Sequence, residues 1–228
     1  MPTGSVSLPF DLDQAMKYLA GRDARLRRLI DSAPRFQLAS EEMRSPYDAL
    51  LRAIVYQSIS TRVAATIFGR VKALGGDGRI PAPGEVLKLR IPTLRKVGLS
   101  GAKALAIKDL ARKTVAGVVP TLEQAETMPD EELVERLVSV RGIGVWSVEM
   151  FLIFRLGRPD VLPIHDLGVR RGWAITYGKK ELPRPRELLA FGERWRPYRT
   201  VASWYMWRAG ERAAGVLARS GTPRVRTG

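Results

Sequence analysis

"SVRGIGVWSVEM", residues 139–150, decides the fold, because it reads in two ways. A Gly-x-Gly after an apolar run opens a dinucleotide-binding loop when a strand precedes it and a βαβ unit surrounds it. Here the preceding "DEELVERLVSV" spaces Leu133, Leu137 and Val140 as on one helix face, with charges between them. The third glycine of the dinucleotide fingerprint is replaced by Ser147. The following "VWSVEMFLIFRLG" is almost continuously apolar and long enough for a buried helix. The stretch is therefore helix, tight glycine turn, helix. Gly142 and Gly144 are expected to adopt backbone angles closed to other residues and to let a phosphate come close. Backbone N–H groups opening the second helix then point at that phosphate. A bare corner between helices, with no ligand, is the alternative at this point.

Outward from the hairpin the periodicity is helical nearly throughout. Leu12, Ala15, Met16, Leu19, Leu26, Leu29 and Ile30 recur by three and four around Gly21. From residue 45, Ser45 reads as an N-cap and Pro46 as the first helical position of a run that ends at Gly75-Gly76, with a break near Ser58–Thr61. Residues 77–92 carry Gly and Pro and read as a loop. Ser100 caps "LSGAKALAIKDLARK", and Thr121 with Gln124 forms a capping box. Pro129 and the acids Asp130, Glu131 and Glu132 open a helix running to Val140. Those acids resemble a metal cluster, but a helix amino end attracts carboxylates in any case. No segment alternates with period two and no repeat is visible. The expected fold is all-α, with ten or more helices, and with flexible tails at 1–9 and 219–228.

Composition narrows the chemistry. The 228 residues contain no cysteine and one histidine, His165. Disulfides, thiol catalysis, cysteine-ligated zinc and iron–sulfur clusters are thereby excluded. No apolar run spans a bilayer and the amino end lacks the pattern of a secretory signal, so a membrane partner is not expected. Lys and Arg number 38 against 23 Asp and Glu, a net charge of +15. Residues 155–228 hold 16 basic and 6 acidic residues, so two-thirds of the surplus lies in the last third. Such a surface suits a polyanion, above all nucleic acid, although a merely solvated basic surface has the same composition.

"GRPDVLPIHDLGVRRG", residues 157–172, follows the hairpin. With it, the chain resembles the helix-hairpin-helix (HhH-GPD) DNA glycosylases, whose hairpin precedes a Gly/Pro-rich loop and an aspartate. "LVSVRGIGVWSVEMFLIFRLGRPDVLPIHDLGVRRG" carries that signature. "LLRAIVYQSISTRVA", "LRKVGLSGAKALAIKDLA" and "WRPYRTVASWYMWR" extend it over most of residues 45–210. Within the family it is most similar to the bacterial 3-methyladenine DNA glycosylase II branch, without the N-terminal β-rich domain of some members. The resemblance implies two helical subdomains with an active-site cleft between them. One is central, 45–154, and the other is discontinuous, 10–44 plus 155–218. It also implies a monomer acting on damaged double-stranded DNA in the cytoplasm, at the bacterial nucleoid. No redox cofactor is implied; a sodium or potassium ion at the backbone of Arg141, Gly142 and Gly144 is.

The resemblance assigns roles residue by residue. Asp166 is the catalytic carboxylate, stabilising oxocarbenium character at C1′ or activating water; alone it would read as a helix cap before "LGVRRG". His165 is its structural or backbone-side neighbour. Trp146 stands where lyase-active members place a Schiff-base lysine, which implies a monofunctional enzyme that leaves an abasic site. Trp146 and Trp207 are implied to line the base pocket and to stack on a cationic methylated purine; plain core positions are their alternative. Met150 departs from the family, where an aromatic follows the tryptophan by one helical turn, and widens the pocket. Glu149 has no assigned role beyond a salt bridge. Arg141, Gly142, Ile143 and Gly144 form the phosphate-gripping turn. The family's duplex plug follows the glutamine matched by Gln57 and falls on Ser58, too short to wedge well, so Gln57 or another loop residue takes that task. Arg170 and Arg171 reach phosphates or face solvent. The implied activity is hydrolysis of the N-glycosidic bond of alkylated purines such as 3-methyladenine and 7-methylguanine. A glycosylase or lyase for another lesion class, or a non-catalytic DNA-binding module, is the alternative.

Overall fold

The computed structural model describes residues 8–38 and 45–215. Among the described residues the chain forms thirteen α-helices, one 3-10 turn and no strand, in agreement with the expected all-α class. In chain order they begin with α1 (Leu12–Arg22), α2 (Ala24–Ser32), α3 (Pro46–Tyr56) and α4 (Thr61–Ala73). Next come α5 (Pro83–Lys88), α6 (Ile91–Lys96), α7 (Gly101–Val115), α8 (Leu122–Thr127) and α9 (Asp130–Val138). The rest are α10 (Val145–Phe154), α11 (Leu167–Tyr177), α12 (Pro185–Gly192), the 3-10 turn Glu193–Trp195 and α13 (Arg199–Ala213). Apart from Leu8 and Pro9, the tails expected to be flexible lie outside the described residues.

Side-chain caps open six of the thirteen α-helices. Ser45 accepts from the Asp48 amide at 3.1 Å and Pro46 opens α3. Thr121 and Gln124 exchange the two bonds of a capping box. The first helical run, continuous in its spacing from Leu12 to Ile30, is broken at Asp23. The Asp23 carboxylate caps α2 by accepting from Arg25 and Leu26, both at 3.0 Å. Residues 77–92 are not the loop expected from their Gly and Pro content. Glu85 reaches back to the Ala82 amide at 2.7 Å and binds Arg79 at 2.7 and 2.5 Å, and Pro83 opens the short helix α5. The Arg79 guanidinium, then the Ala82 N–H, hold the Glu85 carboxyl down at about 2.

The chain divides into two compact units, Met1–Ser40 with Gly157–Gly228 and Glu41–Leu156. The continuous unit carries α3 to α10. Its core gathers Leu50, Leu51, Ile54 and Val55 of α3, Ile107 and Leu110 of α7, Leu133 and Leu137 of α9, and Val148 and Ile153 of α10. Each such buried aliphatic side chain contributes roughly 1.5–3 kcal/mol. The discontinuous unit carries α1, α2 and α11 to α13 and is built on aromatic rings. Phe191 lies 4.6 Å from Tyr177, 5.1 Å from Trp173 and 5.4 Å from Trp195 between centroids. The Tyr177 hydroxyl donates to the second oxygen of Asp23, tying α11 to the start of α2. Burial, then the Asp23 carboxylate, pushes the Tyr177 phenol far up.

Candidate active site

α9 ends at Val138, two residues short of the expected Val140, because Ser139 caps it and Val140 already turns back on the Leu137 carbonyl. Ile143 donates to the Val140 carbonyl at 3.0 Å and closes the hairpin. Gly142 has φ +78°, a conformation that favours glycine. Gly144 differs from expectation. Its φ of −104° suits any residue, and a Cβ there would meet nothing within 4 Å. What this glycine leaves is open surface at the amino end of α10.

Side chains from α7 and from the α3–α4 loop bolt this turn. Asp109 accepts from the Arg141 N–H at 2.9 Å, and Lys113 donates to the Ser139 carbonyl. Burial raises the Asp109 carboxyl, but the Arg141 N–H and Lys113 outweigh it and hold it below its ordinary range. Gln57 donates from Nε2 to the Gly142 carbonyl at 2.8 Å. Lys103 donates to the carbonyls of Val55 at 2.7 Å and Gln57 at 2.8 Å, and burial pushes its ammonium down. Beside the turn lies a cavity of about 450 Å³, with Gln57, Lys103, Arg141 and Gly142 in its wall and no carboxylate. Ile54, Ala102, Leu105 and Ala106 form the rest of the wall, and the Lys103 ammonium is engaged by its two carbonyls.

In the other unit, Asp166 is the N-cap of α11, and its Oδ1 accepts from the Val169 N–H at 2.8 Å. The same oxygen accepts from Trp207 Nε1 of α13, also at 2.8 Å. The capping and the chemical readings of Asp166 are thus compatible, since one carboxylate is oriented by a cap and by an indole. His165 is exposed beside it.

The structure separates the remaining candidates. Trp146 is 48% exposed and Trp207 half-buried, so neither is a core tryptophan. Met150 is half-buried one turn beyond Trp146 on α10. The Ile143 side chain is buried, leaving only its backbone to meet DNA. Arg170 donates from Nε to the Pro183 carbonyl at 2.9 Å and braces the loop before α12, whereas Arg171 is exposed. Gln57 is engaged with the hairpin, which argues against it as the plug. Ser58 has φ +57°, rare for a residue with a side chain, and the next residue, Ile59, is 37% exposed. Sequence reasoning missed Ile59, Lys103, Asp109 and Gly168. Its isolation as the single apolar residue in "QSIS" is the one local signal that would have marked Ile59.

Three comparisons bear on this geometry. The HhH-GPD superfamily, described as base excision DNA repair protein, matches residues 51–197. The chain is 36% identical over 203 residues to DNA-3-methyladenine glycosylase 1 of Schizosaccharomyces pombe, covering 89% of each. A 3-methyladenine DNA glycosylase of S. pombe solved in complex with abasic DNA superposes with a TM-score of 0.75, covering 85% of this chain and 95% of that one. A DNA-3-methyladenine glycosidase of Bacillus halodurans superposes with a TM-score of 0.78 at 32% identity, covering 96% and 95%.

Proposed function

Because the chain belongs to the HhH-GPD superfamily of base excision DNA repair proteins, we infer that it is a DNA glycosylase removing alkylated purines of the 3-methyladenine type. It binds DNA, and we propose damaged duplex as the form bound by a monomer. The observation that carries the chemistry is the Asp166 carboxylate, held by the Val169 and Trp207 N–H groups. The glycosidic bond from C1′ to the purine nitrogen breaks, its electron pair leaves with the base, and oxocarbenium character builds on the sugar. The fixed carboxylate stabilises that charge. Water then bonds to C1′ and loses its proton, to Asp166 or to solvent. A 3-methyladenine or 7-methylguanine base is cationic in DNA and departs neutral, so no acid need protonate it.

The exposed Trp146 ring offers a stacking face for such a cation. With no amine at that position, a Schiff base to the sugar is not expected and the product is an abasic site. The hairpin turn grips a phosphate through the amino end of α10, with the exposed Arg141 beside it. Of the carbonyls implied for a monovalent cation, Gly144's accepts from Ser147 and Val148, and Gly142's accepts from Gln57. Two of the three carbonyls are therefore already engaged, and no step is routed through a cation.

The test is base release. Protein mixed with methylated duplex DNA is expected to liberate free methylated purines and leave alkali-labile abasic sites, with no adduct trapped by borohydride. Binding without release on a panel of lesions would leave only a DNA-binding module. A trapped adduct would make the protein a lyase.

A further inference from the structure

Trp207 meets Asp166 because a side chain is missing between them. A Cβ built on Gly168 would lie 2.7 Å from Trp207 Cδ1, 3.1 Å from Trp207 Nε1 and 3.0 Å from Asp166 Oδ1. These distances fall below ordinary contact, and the obstructing group is a rigid ring on α13, which no rotation of a flexible tail would clear. Gly168 shows no left-handed φ, so space and not backbone angle demands a glycine here. One turn later Gly172 lets α11 touch the Met206 carbonyl of α13, and Met206 is the residue before Trp207. The two glycines set how closely α11 approaches α13, and that approach places the indole N–H on the carboxylate.

The torsion that swings a carboxylate is broad. The Val169 N–H holds Oδ1 from within α11. A second donor on the same oxygen, from another helix, removes that freedom, and charge-assisted bonds of this kind are the strong ones. We propose that Trp207 and Gly168 are positioning residues for the reaction: Gly168 leaves the space through which the Trp207 indole N–H fixes the Asp166 carboxylate against the developing sugar cation. This extends the Asp166 reading and rests on it. It also gives Trp207 a task other than stacking on the base, since its N–H edge is spent on Asp166.

The test is a double-mutant cycle under single-turnover conditions on duplex DNA carrying 7-methylguanine. Trp207→Phe keeps an aromatic ring and removes the N–H; Gly168→Ala keeps the N–H and pushes the ring away. Each is expected to lower the rate about tenfold, as for loss of a hydrogen bond to a charged group. The double variant is expected to be no slower than the slower single, because both changes break one contact. Affinity for an abasic-site duplex is expected to stay within about twofold of wild type, which a merely structural role would not predict. Thermal unfolding checks that each variant is folded, and Trp207→Phe carries the test if Gly168→Ala is not. Wild-type rates in Trp207→Phe, or losses that multiply in the double variant, overturn the proposal. Asp166→Asn is run alongside. If it is fully active, the Asp166 reading itself fails; if it is inactive while Trp207→Phe is not, only the positioning proposal fails.

Discussion

Substituting Gly172 by alanine tests how tightly the fold constrains the helix that carries Asp166. A Cβ on Gly172 would sit 1.8 Å from the Met206 carbonyl oxygen and 2.4 Å from its carbon. Both are backbone atoms, so no rotamer change relieves the overlap, and α11 and α13 must part by roughly 1.5 Å to restore contact distance. Overpacking costs about 1–3 kcal/mol, and a clash with backbone belongs at the upper end. For a chain of this size, about 3 kcal/mol lowers the melting temperature by roughly 6–12 °C. Gly21 of α1, in the same unit, is the control. A Cβ there meets nothing within 4 Å, so Gly21→Ala should stabilise by about 0.5–1 kcal/mol and raise the melting temperature by roughly 1–4 °C. Thermal unfolding followed by circular dichroism reads both. A shift of less than about 2 °C in Gly172→Ala would refute the close approach of α11 and α13.

Three further outcomes follow from the hairpin unit. Gln57→Ala removes the bond between the α3–α4 loop and the Gly142 carbonyl, and should weaken binding to damaged duplex by about fivefold, read by anisotropy, while leaving the unfolding temperature nearly unchanged. Ile59→Ala should slow base release from duplex DNA by about tenfold and barely affect release from a single strand, where no gap needs filling; equal losses on both would exclude Ile59 as the plug. Asp109 has a folded pKa below its unfolded value, so its contribution is fully present above the unfolded value and is lost as pH falls through the folded one. DNA binding should therefore show no loss traceable to the hairpin down to about pH 4, and Asp109→Asn should bind more weakly at neutral pH, measured by the same anisotropy titration.

The parts of this protein that were legible in its sequence are those written in local spacing. Leu133, Leu137 and Val140 before Gly142, and an apolar helix after it, suffice to reject a dinucleotide loop. Asp166 was legible by itself as the cap of α11, and its chemical role was implied only by the resemblance to the HhH-GPD family. Short helix α5 was not, because Glu85 and Arg79 stabilise it through side chains in a Gly- and Pro-rich stretch. The bonds made by Gln57 and Lys103 were beyond reach for a different reason. Their partners lie 85 and 46 residues away, at Gly142 and at the Gln57 carbonyl, and only folding brings them together. Gly168 reads as an ordinary helix-weakening glycine until the crossing of α13 shows what its missing side chain leaves room for. Arg170 was legible as basic, but its bond to the Pro183 carbonyl belongs to the fold.

Asp166→Asn addresses the central claim most directly. Asparagine caps a helix as well as aspartate does, so the bond from the Val169 N–H and the start of α11 are kept while the charge is removed. The account predicts an unchanged melting temperature, retained binding to damaged duplex, and a single-turnover release of 7-methylguanine slowed by about 10²–10³-fold. Release at the wild-type rate by a folded, DNA-binding Asp166→Asn protein would contradict it.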